Sequence, residues 1–398
     1  VLFPFNSARR DASVPGAGAG FEISPAIRNN PAPFNSVVPM KQTKQKNLPQ
    51  HILVRGTNWL GDAVMTTPAL RRLRTAFPSA RVTLLATPRT TGLFTASSLV
   101  DDVLIYHRQE EGVRAFTQMT RVLRAHQFEL ALLFQNAFEA ALLTWLAGIP
   151  RRLGFAAQGR SPLLTQRLEH TPAHHNRHQV HDYLDLVLLA ERSYLHHEPP
   201  PLTAPELLPH LNASVDQLQE AEVLLKQCEL DPHRHPLVVL NAGATNSRAK
   251  CWPEERFAAL GDWLIQERQA QIVFIGAPSE RANAARVIQQ MQLQPARNLA
   301  GETSMSQLIG LLARCDLLVS NDTGPAHIGA ALGRPTLTLF GPTNEFETAP
   351  AGPHAELLRV DGIECARCMH RVCPIDHRCM TRLTVEAVAE RAHRLLTG

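Results

Sequence analysis

Three carboxylates and a lysine in this sequence follow short apolar runs, where a strand would hand over to a turn or helix. In an open parallel sheet those are the places that meet a ligand. The stretch 317–341, LLVSNDTGPAHIGAALGRPTLTLFG, shows the arrangement most fully. Its apolar start reads as a buried strand, and Ser320 to Gly324 read as a polar turn. Pro325 stands where a helix begins, a position that needs no amide hydrogen. A short helix over 326–332 and a second strand over 335–340 complete a βαβ unit. The free amides of Thr323 and Gly324 at such a helix start attract phosphate. Asp322 and His327 are placed to face the same ligand, which we expect to be the nucleotide half of a sugar donor.

The other groups carry two readings each. Asp62 ends the glycine-punctuated loop GTNWLGD. It would serve as a general base if it faced a cleft, or as a helix cap if it turned inward. Lys250, in GATNSRAK, would neutralise a departing diphosphate or simply be an exposed loop lysine; Thr245, Asn246 and Ser247 offer contacts to the same phosphates. Glu280, just past the strand ending at Gly276, would take ribose hydroxyls or stabilise a helix start. His327 has a core reading as well, although it falls in the first turn.

Alternating elements must position these groups. Strands are expected at 52–55, 81–86, 103–106 and 128–134, with helices at 63–76, 113–126, 137–146 and 181–194. A second series has strands at 236–240, 271–275, 317–319 and 335–340. Its helices fall at 214–228, 254–268, 280–291, 304–314 and 384–396. This alternation signals α/β architecture with parallel sheets covered on both faces. A proline-stiffened linker over 198–209 divides two domains, 51–210 and 211–382. Residues 383–398 are expected to form a helix packing back toward the first domain. The first loop does not spell G-x-G-x-x-G, so the dinucleotide fingerprint is absent.

Residues 1–50 are rich in Pro, Gly, Ala, Ser and Asn, and are expected to be a disordered extension. They lack the apolar core of a signal peptide. The 398 residues are 44% hydrophobic, and the formal charge is only +4, which does not argue for nucleic-acid binding. No run of eighteen apolar residues occurs, so no membrane span is expected. Between 151 and 181 lie Arg151, Arg152, Arg160, Arg167 and Arg177 with five histidines and one acid, Glu169. Such a patch suits phosphate or carboxylate, or is a solvated surface loop. Seven cysteines suit a reducing compartment. Cys365, Cys368, Cys373 and Cys379 are spaced C-x2-C-x4-C-x5-C, of which only the first pair has zinc-ligand spacing. We expect no metal in the active site.

Three stretches in order, RGTNWLGDAVMTTPALRRLR, NAGATNSRAKCWPEERFAAL and SNDTGPAHIGAALGRPTLTLFGPT, resemble the lipopolysaccharide heptosyltransferases of glycosyltransferase family 9. The resemblance runs from about residue 52 to the end. It implies a GT-B fold, with two Rossmann-like domains facing a cleft, an inverting reaction and no cofactor or metal. It also implies ADP-heptose as donor and a heptosyl-Kdo2-lipid A core, or another core acceptor, as partner. Asp62 would then be the base and Lys250 the group stabilising departing ADP. Thr245, Asn246, Ser247, Glu280, Asp322, Thr323, Gly324 and His327 would hold the donor. Arg151, Arg152 and Arg160 would meet acceptor phosphates. The enzyme would work in the cytoplasm, in peripheral contact with the inner membrane. Rival readings are a sugar-nucleotide epimerase, a non-catalytic nucleotide-sugar binder, and a metal or redox module built on the cysteines.

Overall fold

The computed structural model describes residues 48–171, 174, 177–196 and 198–397. Of the extension expected over 1–50, residues 1–47 lie outside that set, as does His175 of the basic stretch. The first domain runs β1 His51–Arg55, α1 Leu60–Met65, α2 Thr67–Ala76, β2 Arg81–Ala86, α3 Pro88–Thr91, β3 Asp102–Ile105, α4 Arg108–Ala125, β4 Leu130–Leu133, α5 Phe138–Leu146, β5 Arg151–Phe155, β6 Gln166–Leu168 and α6 Val180–Leu195. A connection carrying α7 Ala204–Leu207 leads to α8 Val215–Gln227, β7 Leu237–Asn241, α9 Glu254–Arg268, β8 Gln271–Phe274, α10 Arg281–Gln290 and β9 Ala296–Asn298. Then follow α11 Met305–Arg314, β10 Leu317–Asn321, α12 Gly324–Ala331, β11 Thr336–Leu339, α13 Glu345–Thr348, β12 Ala355–Leu358, α14 Arg378–Thr381 and α15 Val385–Thr397.

Each domain holds one six-stranded parallel sheet. The orders are β3-β2-β1-β4-β5-β6 and β12-β11-β10-β7-β8-β9. Counted from β7, the second is the first over again, so two domains with no visible sequence repeat wind alike. Strands such as LVVLN of β7 and LALL of β4 are buried throughout, as strands covered on both faces must be. In each sheet the winding reverses between the first and fourth strands of the domain. The loops beyond those strand ends frame the crevice. This is the GT-B architecture expected from the sequence.

Several elements differ from expectation for local reasons. The helix expected over 63–76 is two helices that meet at Thr66. Pro68 has no amide to donate there, and the Thr66 and Thr67 hydroxyls bond back to the carbonyls of Ala63 and Val64 at 2.6 and 2.8 Å. The arginine-rich stretch from 151 forms β5 and β6 rather than a loop. The edge strands β9 and β12 are half-buried and too short for a periodic pattern. The C-terminal helix α15 does not return to the first domain. Val388, Ala389 and Ala392 pack into the second domain's core, and Arg391 pairs with Glu356 of β12 at 2.6 Å.

The arginines expected to meet an acceptor are committed elsewhere. Arg151 and Arg152 start β5, at the end of the sheet away from the crevice. Arg151 lies over the Tyr194 ring, 5.6 Å from its centre, and Arg152 Nε donates to the Leu163 carbonyl at 2.6 Å. Arg160 is fully buried. It donates to the carbonyls of Phe155 and Gln135 and to Asn136 Oδ1, and burial pushes its pKa down to about 10. It pins the loop after β4 to the end of β5. Arg160→Met leaves those acceptors unpaired and should cost roughly 3 kcal/mol in a denaturant melt, with the Michaelis constant for any acceptor unchanged.

Candidate active site

The two domains meet where α1 crosses α12, and two glycines set the distance. A Cβ on Gly61 would lie 2.8 Å from Cδ2 and 2.9 Å from Nε2 of His327. A Cβ on Gly324 would lie 2.6 Å from Cβ of Leu60. Neither space admits a methyl group, so each helix uses its glycine to let the other's side chain in. One apolar cluster continues through the contact, joining Val64 and Met65 of α1 to Ile328 and Ala331 of α12.

Asp62 follows Gly61 in the first turn of α1. The helix cap is Trp59, and no side chain makes a capping bond there. The capping role left open by the sequence is therefore not the one Asp62 fills. Among the described residues its half-buried carboxylate has no hydrogen-bond or ion-pair partner. Burial raises its pKa to about 6; Lys250 across the crevice opposes the rise and Asp322 adds to it. Tyr183 of α6 feels the Asp62 charge, and its hydroxyl accepts a bond from Gln179 Nε2 at 2.9 Å. A carboxylate left unpaired, desolvated and near neutrality is poised to take a proton.

Opposite it, the second domain concentrates polar groups at the ends of β7, β8 and β10. Asn321 Nδ2 donates to the carbonyls of Ala242 and Gly243, and Asn321 Oδ1 accepts the Trp252 amide at 3.0 Å. Asn241 Nδ2 reaches Thr323 Oγ1 at 2.7 Å. These bonds hold the loops after β7 and β10 in register. Lys250, in a single turn over Arg248–Lys250, extends its ammonium to the Asp322 carboxylate at 2.8 Å. The same oxygen, Oδ2, also accepts the Thr343 hydroxyl at 2.7 Å. Lys250 is thus a docked cation beside the start of α12, where Thr323 and Gly324 sit. His327 is buried, and burial lowers its pKa to about 4, so its ring is neutral at neutral pH.

Glu280 lies against the backbones of Gly243 and Gly276 and accepts the Thr245 hydroxyl at 2.9 Å and the Ala277 amide at 2.8 Å. Asn246 is exposed beside Thr245. Ser247 points elsewhere: its hydroxyl donates to the Arg371 carbonyl at 3.3 Å, behind the Lys250 turn. Thr343, Asn241, Tyr183 and Gln179 were not singled out in the sequence. Asn241 alone left a signal there, as a polar residue closing an apolar strand; the others come together only in three dimensions.

A cavity of about 430 Å³ opens at the same edge of the first sheet, lined by Arg55, Trp59, Arg89, His107, Arg108 and Glu139 among others. Arg108 pairs with Glu139 at 2.7 Å. Arg89 has no carboxylate partner among the described residues and lies over the half-exposed Trp59 ring at 4.7 Å. Arg55 is buried, and its Nε has no partner among the described residues. A flat aromatic beside unneutralised guanidinium groups suits a sugar that carries an anion.

All seven cysteines are free thiols. Among the described residues, the metal-ligating types gather closely at His174, Asp182 and Asp185. Arg177 already bonds both carboxylates there, so a guanidinium supplies the positive charge a cation would bring.

Two outcomes follow from this geometry. Asp62 binds its proton more tightly folded than unfolded, so its stabilising contribution is present at low pH and lost as pH rises through about 6. Asp62→Asn should therefore raise the melting temperature at pH 8 and change it little at pH 4. Gly61→Ala would force α1 and α12 apart by a fraction of an ångström or more. Turnover should fall about 100-fold, as for other small misplacements of catalytic groups, while nucleotide affinity stays within a few fold.

Residues 116–378 match the family model for glycosyltransferase family 9 (heptosyltransferase). The chain is 28% identical to lipopolysaccharide heptosyltransferase 2 of Salmonella typhimurium, over 87% of this chain and 98% of that protein. It is 29% identical to the Escherichia coli protein of the same name, over 78% and 88%. The solved structure of E. coli ADP-heptose lps heptosyltransferase II superposes with a TM-score of 0.71 at 26% identity, over 87% of this chain and 98% of that one. With two thirds of its length inside the family model and its carboxylate and lysine facing each other across a GT-B crevice, the chain belongs to glycosyltransferase family 9.

Proposed function

We propose that this protein moves heptose from ADP-heptose (ADP-L-glycero-β-D-manno-heptose) to the heptosyl-Kdo2-lipid A inner core in lipopolysaccharide biosynthesis, with inversion at the anomeric carbon. The relatives named heptosyltransferase 2 support this choice of acceptor over other core acceptors. The observation that carries the reading is the unpaired Asp62 carboxylate, held across the α1–α12 contact from the Lys250–Asp322 pair.

In this reading the acceptor hydroxyl attacks the anomeric carbon while Asp62 takes its proton. The bond from that carbon to the diphosphate oxygen breaks, and ADP leaves with the electron pair. Lys250 and the amides of Thr323 and Gly324 offset the charge that develops on the diphosphate. No metal is required for that task. Glu280 with Thr245 takes the ribose hydroxyls, Asn246 lies beside the phosphates, and Asp322 and His327 orient the heptose. A single base facing one side of the sugar suits transfer better than epimerisation, which needs a group on each side.

The acceptor docks on the first domain, and its anionic sugars fill the cavity of Arg89 and Trp59 in place of the arginine patch expected from the sequence. Among the described residues no helix is long and apolar enough to cross a membrane. We assign the enzyme to the cytoplasmic face of the inner membrane, which it meets at its lipid-borne acceptor.

The test is transfer of labelled heptose from ADP-heptose onto defined core acceptors in EDTA. The kcat/KM should rise with pH through about 6, where Asp62 loses its proton, and Asp62→Asn should lose about 10²- to 10⁴-fold. Arg89→Ala should raise the acceptor Michaelis constant about tenfold or more, and leave the donor constant unchanged, if it loses one charge-assisted contact. Turnover of donor alone, or none with any heptose donor, would overturn the assignment.

A further inference from the structure

Between β12 and α14, residues 359–377 join neither sheet, yet they are tied to the two loops that converge on Asp322. The Arg371 carbonyl accepts the Ala249 amide at 3.1 Å and the Ser247 hydroxyl at 3.3 Å. His377 Nε2 bonds the Ala249 carbonyl at 2.7 Å. On the other loop, the Met369 amide donates to the Pro342 carbonyl at 2.9 Å, and Arg367 pairs with Glu345. The first loop delivers Lys250 and the second delivers Thr343, and both reach the same oxygen of Asp322.

Lys250 needs this support. Its side chain is a flexible four-carbon stem, so where the ammonium points depends on where the stem is rooted. The root is a three-residue turn, and its geometry is too short to be rigid alone. The carbonyl just before Lys250 belongs to a buried residue, so it needs a donor within the protein. A carbonyl can only accept, so His377 must carry its hydrogen on Nε2. The ring is itself held: it is half-buried, its residue has the left-handed φ of 57° that turns the chain into α14, and its amide donates to Cys373 Sγ at 3.3 Å.

We propose that His377 is a positioning residue for transfer: its Nε2–H fixes the Ala249 carbonyl and thereby aims the Lys250 ammonium at the leaving diphosphate. This rests on the role given to Lys250 above. His377 touches neither substrate. It acts from behind the donor site, through one peptide group.

The experiment is a double-mutant cycle in the full-length enzyme, read as kcat, both Michaelis constants and melting temperature. His377→Phe, which keeps a ring but no donor, should lower kcat about 10- to 100-fold and leave the acceptor Michaelis constant unchanged. His377→Gln keeps an amide donor at similar reach and should recover most of the loss. In a Lys250→Ala background, His377→Phe should lower kcat no further, because the group it aims is gone. Losses that multiply in the double variant would overturn the proposal, as would Phe and Gln variants with equal kcat. A Lys250→Ala enzyme with full kcat would overturn the role of Lys250 itself, and this inference with it.

Discussion

The site depends on how closely two short helices approach. Asp62 belongs to one domain and Lys250 and Asp322 to the other, and among the described residues no hydrogen bond or ion pair joins the carboxylate to either. What keeps them together is the crossing of α1 and α12, where Gly61 receives the His327 ring and Gly324 receives Leu60. The contact is apolar and steric, so it works without neutralising the carboxylate. A salt bridge in its place would have brought the domains together and lowered the pKa of Asp62 at the same time.

That choice has an energetic cost, the desolvation of an unpaired carboxylate. Opposite Asp62 most buried polar atoms are matched: Asn321 to two carbonyls and an amide, Asn241 Nδ2 to Thr323, Asp322 to Lys250 and Thr343, with Asn241 Oδ1 the exception in this set. Buried groups satisfied in this way rigidify the loops that carry them. Asp62 is the carboxylate among them left without a partner, as the proton transfer proposed for it requires. Strain of this kind is tolerable because each domain has its own sheet and its own core behind it.

The strands that build those sheets were legible wherever burial on both faces demanded an apolar run, as at LVVLN and LALL. So was the placement of Asp322, because an apolar strand followed by D-T-G-P leaves little freedom. The edge strands β6, β9 and β12 were not legible, and neither was β5 beside β6. β5 begins with two arginines whose stems lie along the sheet while their heads bond carbonyls or an aromatic face; in sequence this looks like a charged loop. Arg160 was misread for the same reason, since charge in a sequence says nothing of what the guanidinium will find. Trp59 and Arg89 lie 30 positions apart, so nothing local could pair them, and the same holds for Thr343 with Asp322.

The glycine contact also bears on what happens after the bond is made. On the proposed reaction, spent nucleotide would lie on one side of that seam and the lengthened glycan on the other. While the helices stay in contact through Gly61 and Gly324, the two lobes stay closed on whatever lies between them. Departure then requires the lobes to part, which draws Leu60 and Ile328 out of their shared apolar cluster and into water. The packing that assembles the catalyst is thus also a latch on its turnover, and the pace of the enzyme is tied to how readily two small hydrophobic faces separate.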